Sequence, residues 1–418
     1  MPQGRSTQPD VRMRGFSHRA PVETVWQWLE ETARPLPGET LHPREAHRRI
    51  LAEEVTAPES VPPFPRSAMD GYALRGSETV GAGAYNPLSF RLVGQSMPGA
   101  AHDQPLPPGA AVRIMTGAPV PEGADAVLPA EYAQEVGERV EVTNAIPPWK
   151  HVGQIGEDIQ EGEVLLRPGR KLRPQDLGLL ASVGRTSVTV VARPRVRILV
   201  TGNELVPSDQ PRGNAQIYDA NTDMLAALVE RDGGTVEGTY RVGDDADVIT
   251  EHFTEGSPDV LIVTGGSSVG AEDHAPRVLS EAGELAFHGV AMRPSAPTGM
   301  GRLGADTLAF LLPGNPVSCL AGYDFFAGRA VRRLGGRPSH WPHPTVSATL
   351  ARKISSEIGR MDYCRVALGD EGVEPLALSG ASILSSTTRA DGFVIIPADS
   401  EGYAPGTAVT VHLYEPGD

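Results

Sequence analysis

The segment Asp259–Leu279, DVLIVTGGSSVGAEDHAPRVL, limits the possible folds of this chain more than any other. Val260–Val263 is wholly apolar and mostly β-branched, the pattern of a strand buried on both faces of a parallel sheet. The chain then breaks into Gly265-Gly266-Ser267-Ser268, passes Gly270, and is predicted to enter a helix from about Asp273. A strand feeding a Gly/Ser loop and then a helix N-terminus makes an anion cradle. The glycines let backbone approach the ligand, the serines donate hydroxyls, and the helix end presents unpaired N–H groups. Asp273 beside that cradle would repel a bare phosphate and suits a metal ion or a partner group of the ligand better. A tight strand-to-helix turn with an N-capping Asp explains the same residues, so the loop alone leaves both readings open.

At 418 residues the chain exceeds one core, and about 100–200 residues per domain implies three or four. With 47 glycines and 38 prolines, strands and turns are favoured over long helices. The net charge of -15 argues against non-specific nucleic-acid binding, so an anionic ligand must be held by local donors or metal ions. Cys319 and Cys364 form neither a metal pattern nor a disulfide framework, which makes a reducing cytoplasm the expectation. Residues 1–15 contain no apolar core segment and read as a disordered N-terminus rather than a signal peptide. No run reaches the roughly 20 apolar residues that span a bilayer, so no membrane role is expected.

Along the chain, Pro21–Thr32 places Val22, Val25, Trp26 and Leu29 on one helical face. Such a helix serves either dimerisation or packing on its own domain. A second helix is expected to start at Pro43 and run through Ile50 and Leu51. VPPFPRSAMDGYALRG is a proline-dense loop leading into a strand, and short β-like runs follow to Val142, an all-β lobe. A helix is expected over Gln175–Ser182. From Arg193 the texture is alternating βαβ, a doubly wound sheet, with helices over Asn221–Arg231 and Asp247–Phe253. Ligands of such sheets bind at the carboxyl ends of the strands, where the Glu204 loop, the Gly266 loop and the Pro313–Pro316 turn fall. From about His340 short strands recur without helices, a small barrel or sandwich, and SHWPHP, with His340 and His343, reads as a linker.

Acidic residues recur in loops beside strand ends: Asp70, Glu157, Asp158, Glu204, Asp244, Asp245 and Asp273. Carboxylates are natural ligands of Mg2+, which bridges protein to phosphate oxygens, although each one alone could equally cap a helix or stay solvated. SAMDGYALRG fixes Asp70 at a turn apex between Ser67 and Tyr72. VRIMTGAPVP sets the Thr116 hydroxyl at a strand end, to donate to an anion or to close the turn. In LPGNPVS, Pro313 and Pro316 bracket Gly314-Asn315 before a helix carrying Ser318, which presents N–H groups to an anion on a stiff support. Neither cysteine has a nearby histidine to act as its base.

With these motifs in view, the chain closely resembles the molybdopterin molybdenumtransferases, the MoeA proteins, whose animal relative is the C-terminal part of gephyrin. The stretches that carry the likeness are PPFPRSAMDGYALR, RIMTGAPVPEGADAV, IGEDIQEG, VTGNEL, IYDANTDML, TGGSSVG with Asp273, LPGNPVSCL and ADGFVIIP, in the family's order. The resemblance implies a multidomain α/β and β fold. Residues 16–60 and 150–192 would form an elongated N-terminal and linker domain, and 61–149 a β-rich lobe. Residues 193–338 would be the doubly wound α/β molybdopterin-binding domain, and 339–418 a C-terminal β-barrel.

It further implies a cytoplasmic, homodimeric transferase of molybdenum cofactor biosynthesis, with the active site between subunits. Its substrates would be molybdate and adenylated molybdopterin, and AMP would be released with Mg2+. Transient contact with the adenylyltransferase and with molybdoenzymes would follow. The implied catalytic set is Asp70, Thr116, Asp158, Glu204, Asp244 and Asp273, with Asp70, Glu204 and Asp273 as metal ligands. Gly265, Gly266, Ser267, Ser268, Gly270, Arg293, Pro313, Gly314, Asn315, Pro316, Ser318 and Ser385 would bind the pterin, with Arg360 or Arg365 as weaker transfers. Asn203 stands where the family usually has Asp, and Arg293-Pro294-Ser295-Ala296-Pro297 where it has KPGKP. The alternatives are a non-catalytic pterin-binding scaffold of the same family and a molybdopterin adenylyltransferase.

Overall fold

A computed structural model describes residues 19–266 and 274–414. The expectation for residues 1–15 and those for Ser267, Ser268, Gly270 and Asp273 lie outside the described residues. Packing divides the chain into two compact units, one of Thr40–Val190 and one of the chain up to Glu39 together with Val191 onward.

The second unit is built on a six-stranded sheet. Strand Arg195–Thr201 lies parallel to Thr235–Val242 on one side and to Val260–Thr264 on the other, and Thr307–Leu312 continues the parallel run. Gly299–Leu303 and then Glu284–His288 complete it as antiparallel strands, the latter at the edge. The apolar runs were needed for both faces. Ile198, Ile262 and Phe310 pack on one side with Leu225 and Val229 of helix Asn221–Asp232. Leu199, Val263 and Leu311 point to the other side, against Ile249 of helix Ala246–Thr254 and Val278 of helix Ala275–Ala282. This alternation, with helices covering both faces, is the doubly wound architecture.

Helix Val22–Thr32 buries Val22, Val25 and Leu29 in the core of this unit. Trp26 stacks on Phe325 at 6.1 Å between ring centroids and donates its indole N–H to the Phe325 carbonyl. Packing on its own unit is therefore how the aromatic face is used, and compactness separates this helix from the remainder of 16–60. In the C-terminal part, strands Gly372–Ala377, Met361–Gly369, Gly392–Ile396, Ala408–Leu413 and Thr345–Thr349 neighbour one another in that order. A bridge between Leu350 and Val373 joins the two ends into a closed barrel. It is not free of helix, because Ser385–Thr388 forms one turn. Nor is His343 in an open linker: it is buried, with Nδ1 at 3.0 Å from the Leu413 carbonyl.

The first unit holds a second six-stranded sheet, in the order Ala126–Pro129, Gly71–Leu74, Ala110–Ile114, Leu88–Ser96, Arg139–Val142, Ala133–Val136. A separate small core gathers Leu51, Val55, Leu166, Leu180 and Val190, with Leu180 from helix Pro174–Ser182. The helix expected from Pro43 through Leu51 is corrected to one turn, Pro43–Glu45. Arg48 adopts φ 62°, which no helix continues through, and Ile50 and Leu51 instead make bridges to Lys171 and Val190. Tertiary pairing overrides the local helical pattern.

Candidate functional site

The carboxyl ends of the parallel strands in the second unit open into a cavity of about 1100 Å³. That is where an open parallel sheet binds ligands, beside the point at which strand order reverses. Thr201, Thr264 and Pro313 mark the ends of three neighbouring parallel strands at its floor. Gly265 follows with φ 90°, and a Cβ there would lie 2.1 Å from the Thr201 carbonyl oxygen. Only glycine allows that approach. Asn221, at the start of its helix, ties the floor together: Nδ2 donates to the Gly314 carbonyl at 2.8 Å and to Thr264 Oγ1 at 3.2 Å.

Of the expected pterin-binding residues, Gly265, Gly266, Arg293, Pro313, Gly314, Asn315, Pro316 and Ser318 all line this cavity. Ser385 does not; the barrel contributes its loop Leu378–Ser382 instead. Arg365 is fully buried and donates through Nη2 to the Ser379 carbonyl, so it braces that loop from behind. Ser295, where the related pattern has Gly, takes φ 80° and holds it with a 2.7 Å hydrogen bond between its hydroxyl and that of Thr298.

The acidic residues of the cavity are Glu204, Asp219 and Asp244. Asp244 and Asn203 clasp each other: the Asn203 N–H donates to Asp244 Oδ2 at 3.1 Å, and the Asp244 N–H to Asn203 Oδ1 at 3.3 Å. An amide in place of Asp at 203 preserves the acceptor that this clasp needs. Glu204 folds back until its carboxylate would sit 2.7 Å from a Cβ at Gly202. Asp219 caps the helix, accepting from the N–H groups of Asn221 and Thr222, and pairs with Arg241 at 2.7 Å. Burial pushes its pKa up, but the Thr222 hydroxyl, Arg241 and the two N–H groups outweigh this and hold it below the ordinary value. Arg293 is the one cationic side chain on the cavity wall among the described residues.

Mg2+ binds through one or two carboxylates and keeps several waters. Glu204, which is exposed, and Asp244, which is half-buried, both line the cavity and supply carboxylate oxygens that fit that demand. Among the described residues no three His, Cys, Asp or Glu groups cluster as a complete cage.

Asp70 and Thr116 belong to the first unit and meet there. Asp70 Oδ1 accepts from both the backbone N–H and the hydroxyl of Thr116, each at 2.7 Å. These bonds, the backbone one first, hold the Asp70 pKa below its ordinary value. Thr116 lines a smaller cavity of about 360 Å³ with Arg66, His151 and Glu157, and Arg66 pairs with Glu157 at 3.1 Å. In the GEDI stretch it is thus Glu157 that faces this cavity, while Asp158 is exposed outside it. Sequence reasoning did not assign Asp219, Asn221, Ser379 or Arg66 to a site, although IYDANTDML and PPFPRSAMDGYALR contain three of them.

The fold and cavity define a multidomain protein with a ligand-binding, doubly wound α/β unit. Profiles of known families match the MoeA N-terminal region (domain I and II) at residues 20–184, a molybdopterin binding domain at 197–333 and the MoeA C-terminal region (domain IV) at 347–414. Molybdopterin molybdenumtransferase 2 of Mycobacterium tuberculosis is 35% identical over 378 residues, 88% of this chain and 93% of that protein. The molybdopterin molybdenumtransferase of Haemophilus influenzae is 32% identical over 395 residues, 92% of this chain and 96% of its own. A crystal structure of the molybdopterin biosynthesis MoeA protein from Pyrococcus horikoshii superposes with a TM-score of 0.75 at 29% identity, covering 95% of this chain and all of that one. The chain belongs to the MoeA family of molybdenum cofactor biosynthesis proteins, the molybdopterin molybdenumtransferases.

Proposed function

We infer that this chain inserts molybdate into adenylated molybdopterin and releases AMP in a Mg2+-dependent reaction. The observation that carries the reading is the cavity at the strand ends. It offers a glycine-lined floor at Gly265 and Gly314, the Arg293 charge on one wall, and Glu204 with Asp244 on another. Arg293 and the loop N–H groups hold the anionic end of the pterin, and the Asn221 brace keeps the floor in register. Glu204 and Asp244 hold Mg2+, which when bound offsets charge on the phosphoanhydride. Asp70, kept ionised by Thr116, has Oδ2 left to orient a water. Ser267, Ser268 and Gly270 would contact the pterin, Asp273 the metal ion, and Asp158 would serve as a further catalytic carboxylate. Preorganised charge and position supply the catalysis.

The protein would act in the cytoplasm as a homodimer, one subunit supplying Asp70 and Thr116 to the other's site, with transient contact to the adenylyltransferase and to molybdoenzymes. The test is AMP release from purified adenylated molybdopterin with molybdate and Mg2+, comparing wild type with Asp70→Ala and Glu204→Ala. Molybdate-dependent release that collapses in both variants supports the enzyme. Tight pterin binding with no AMP from wild type would establish the scaffold reading, which Ala296 in place of a family lysine favours.

A further inference from the structure

Strand Met361–Gly369 of the barrel carries Asp362, whose side chain is fully buried. A carboxylate out of water is costly unless it is paired and hydrogen-bonded. The Ser356 hydroxyl donates to Oδ2 at 2.9 Å, Arg360 Nε donates to Oδ1 at 3.0 Å, and Arg293 Nη2 lies 3.4 Å from Oδ2. The backbone joins the same two partners, because Met292–Arg293 pairs in parallel with Met361–Asp362, with Arg293 opposite Asp362. Arg360 has a second carboxylate, Glu357 at 2.9 Å. Arg293 has Asp362 alone among the described residues.

Packing does not ask for this arrangement, since an apolar side chain would fill a buried strand position at lower cost. The arrangement does fix a charge. Arg293 keeps 33% of its side chain exposed in a cavity whose other charged residues, among those described, are Glu204, Asp219 and Asp244. An anionic group entering there has one cation to settle on.

We propose that Asp362 is a positioning residue of this site, holding the Arg293 guanidinium against the cavity wall where it meets an oxyanion of the substrate, phosphate or molybdate. It touches no substrate and acts through Arg293. The proposal rests on the reading of Arg293 given above.

The test is calorimetric titration of the full-length protein with molybdate and, separately, with AMP. Wild type, Arg293→Ala, Asp362→Asn and the double variant are compared. Arg293→Ala should weaken one of the two anions roughly tenfold, which identifies the group it meets, and Asp362→Asn should weaken that same anion by a similar factor. The double variant should bind no more weakly than Arg293→Ala, because Asp362 has no route to the ligand once Arg293 is gone. Wild-type affinity in Asp362→Asn, or a full further loss in the double variant, overturns the proposal. If Arg293→Ala leaves both affinities unchanged, the reading of Arg293 fails first and the role of Asp362 falls with it. Should Asp362→Asn not fold, Ser356→Ala takes its place, with about a threefold loss expected and an unchanged affinity overturning the proposal.

Discussion

Asn221 donates through Nδ2 to the carbonyl of Gly314 at 2.8 Å, joining a helix start to the turn after a strand 93 residues further on. The same nitrogen reaches Thr264 Oγ1. Asn221→Ala removes the brace and leaves the exposed Gly314 carbonyl to water, so it should cost about 1 kcal/mol. Urea denaturation reads that loss, and a fall in pterin affinity should accompany it.

Gly265→Ala should be far worse than Gly304→Ala. Both positions have positive φ, 90° and 59°, but an added Cβ at 265 meets the Thr201 carbonyl oxygen at 2.1 Å while at 304 it meets nothing within 4 Å. Left-handed strain alone, about 1 kcal/mol, is expected at 304. At 265 the loop must move, so AMP release should be lost along with stability. Equal stability of the two variants would contradict the described floor.

Thr116→Val keeps the backbone hydrogen bond to Asp70 and removes the hydroxyl one. The Asp70 pKa is depressed in the fold, so its ionised form persists as pH falls until that lowered value is reached. In the variant the carboxylate should titrate at higher pH than in wild type, still below its ordinary value. Carboxyl-carbon NMR of Asp70 measures the change, and the acid limb of activity should move to higher pH with it.

Asp324 is fully buried, 2.7 Å from an Arg231 nitrogen and 3.6 Å from His343 Nε2. Burial raises its pKa, but the Arg231 charge and then His343 outweigh it, and the net shift is downward. A depressed carboxylate contributes stability above its unfolded pKa of about 4, and that contribution is lost as pH falls from there toward the folded value. Asp324→Asn should therefore lose about 3–5 kcal/mol at neutral pH. Its stability should also depend less on pH over that acid window, as thermal melts across the range would record.

Much of the architecture could be read in advance because local pattern and tertiary environment agree. Val260–Thr264 is buried on both faces, so its apolar run is unbroken, and the turns at Gly265 and Pro313 announce themselves by composition. What stayed hidden depends on partners remote in sequence. Asp219 looks like a helix cap until Arg241 arrives from the neighbouring strand, and Asp362 looks like a strand residue until Met292–Arg293 pairs beside it. Glu157 and Asp158 are adjacent carboxylates, and only the fold decides which one faces the cavity with Arg66. The helix expected through Leu51 failed for the same reason, its residues being claimed by bridges to Lys171 and Val190.

The most direct test of the central claim is a single turnover of adenylated molybdopterin with molybdate and Mg2+, following AMP and pterin-bound molybdenum together. One protein that couples hydrolysis to insertion should yield the two in equal amounts and at equal rates, with both falling together in Glu204→Ala. AMP appearing without bound molybdenum, or a pterin held intact with neither product formed, would contradict it.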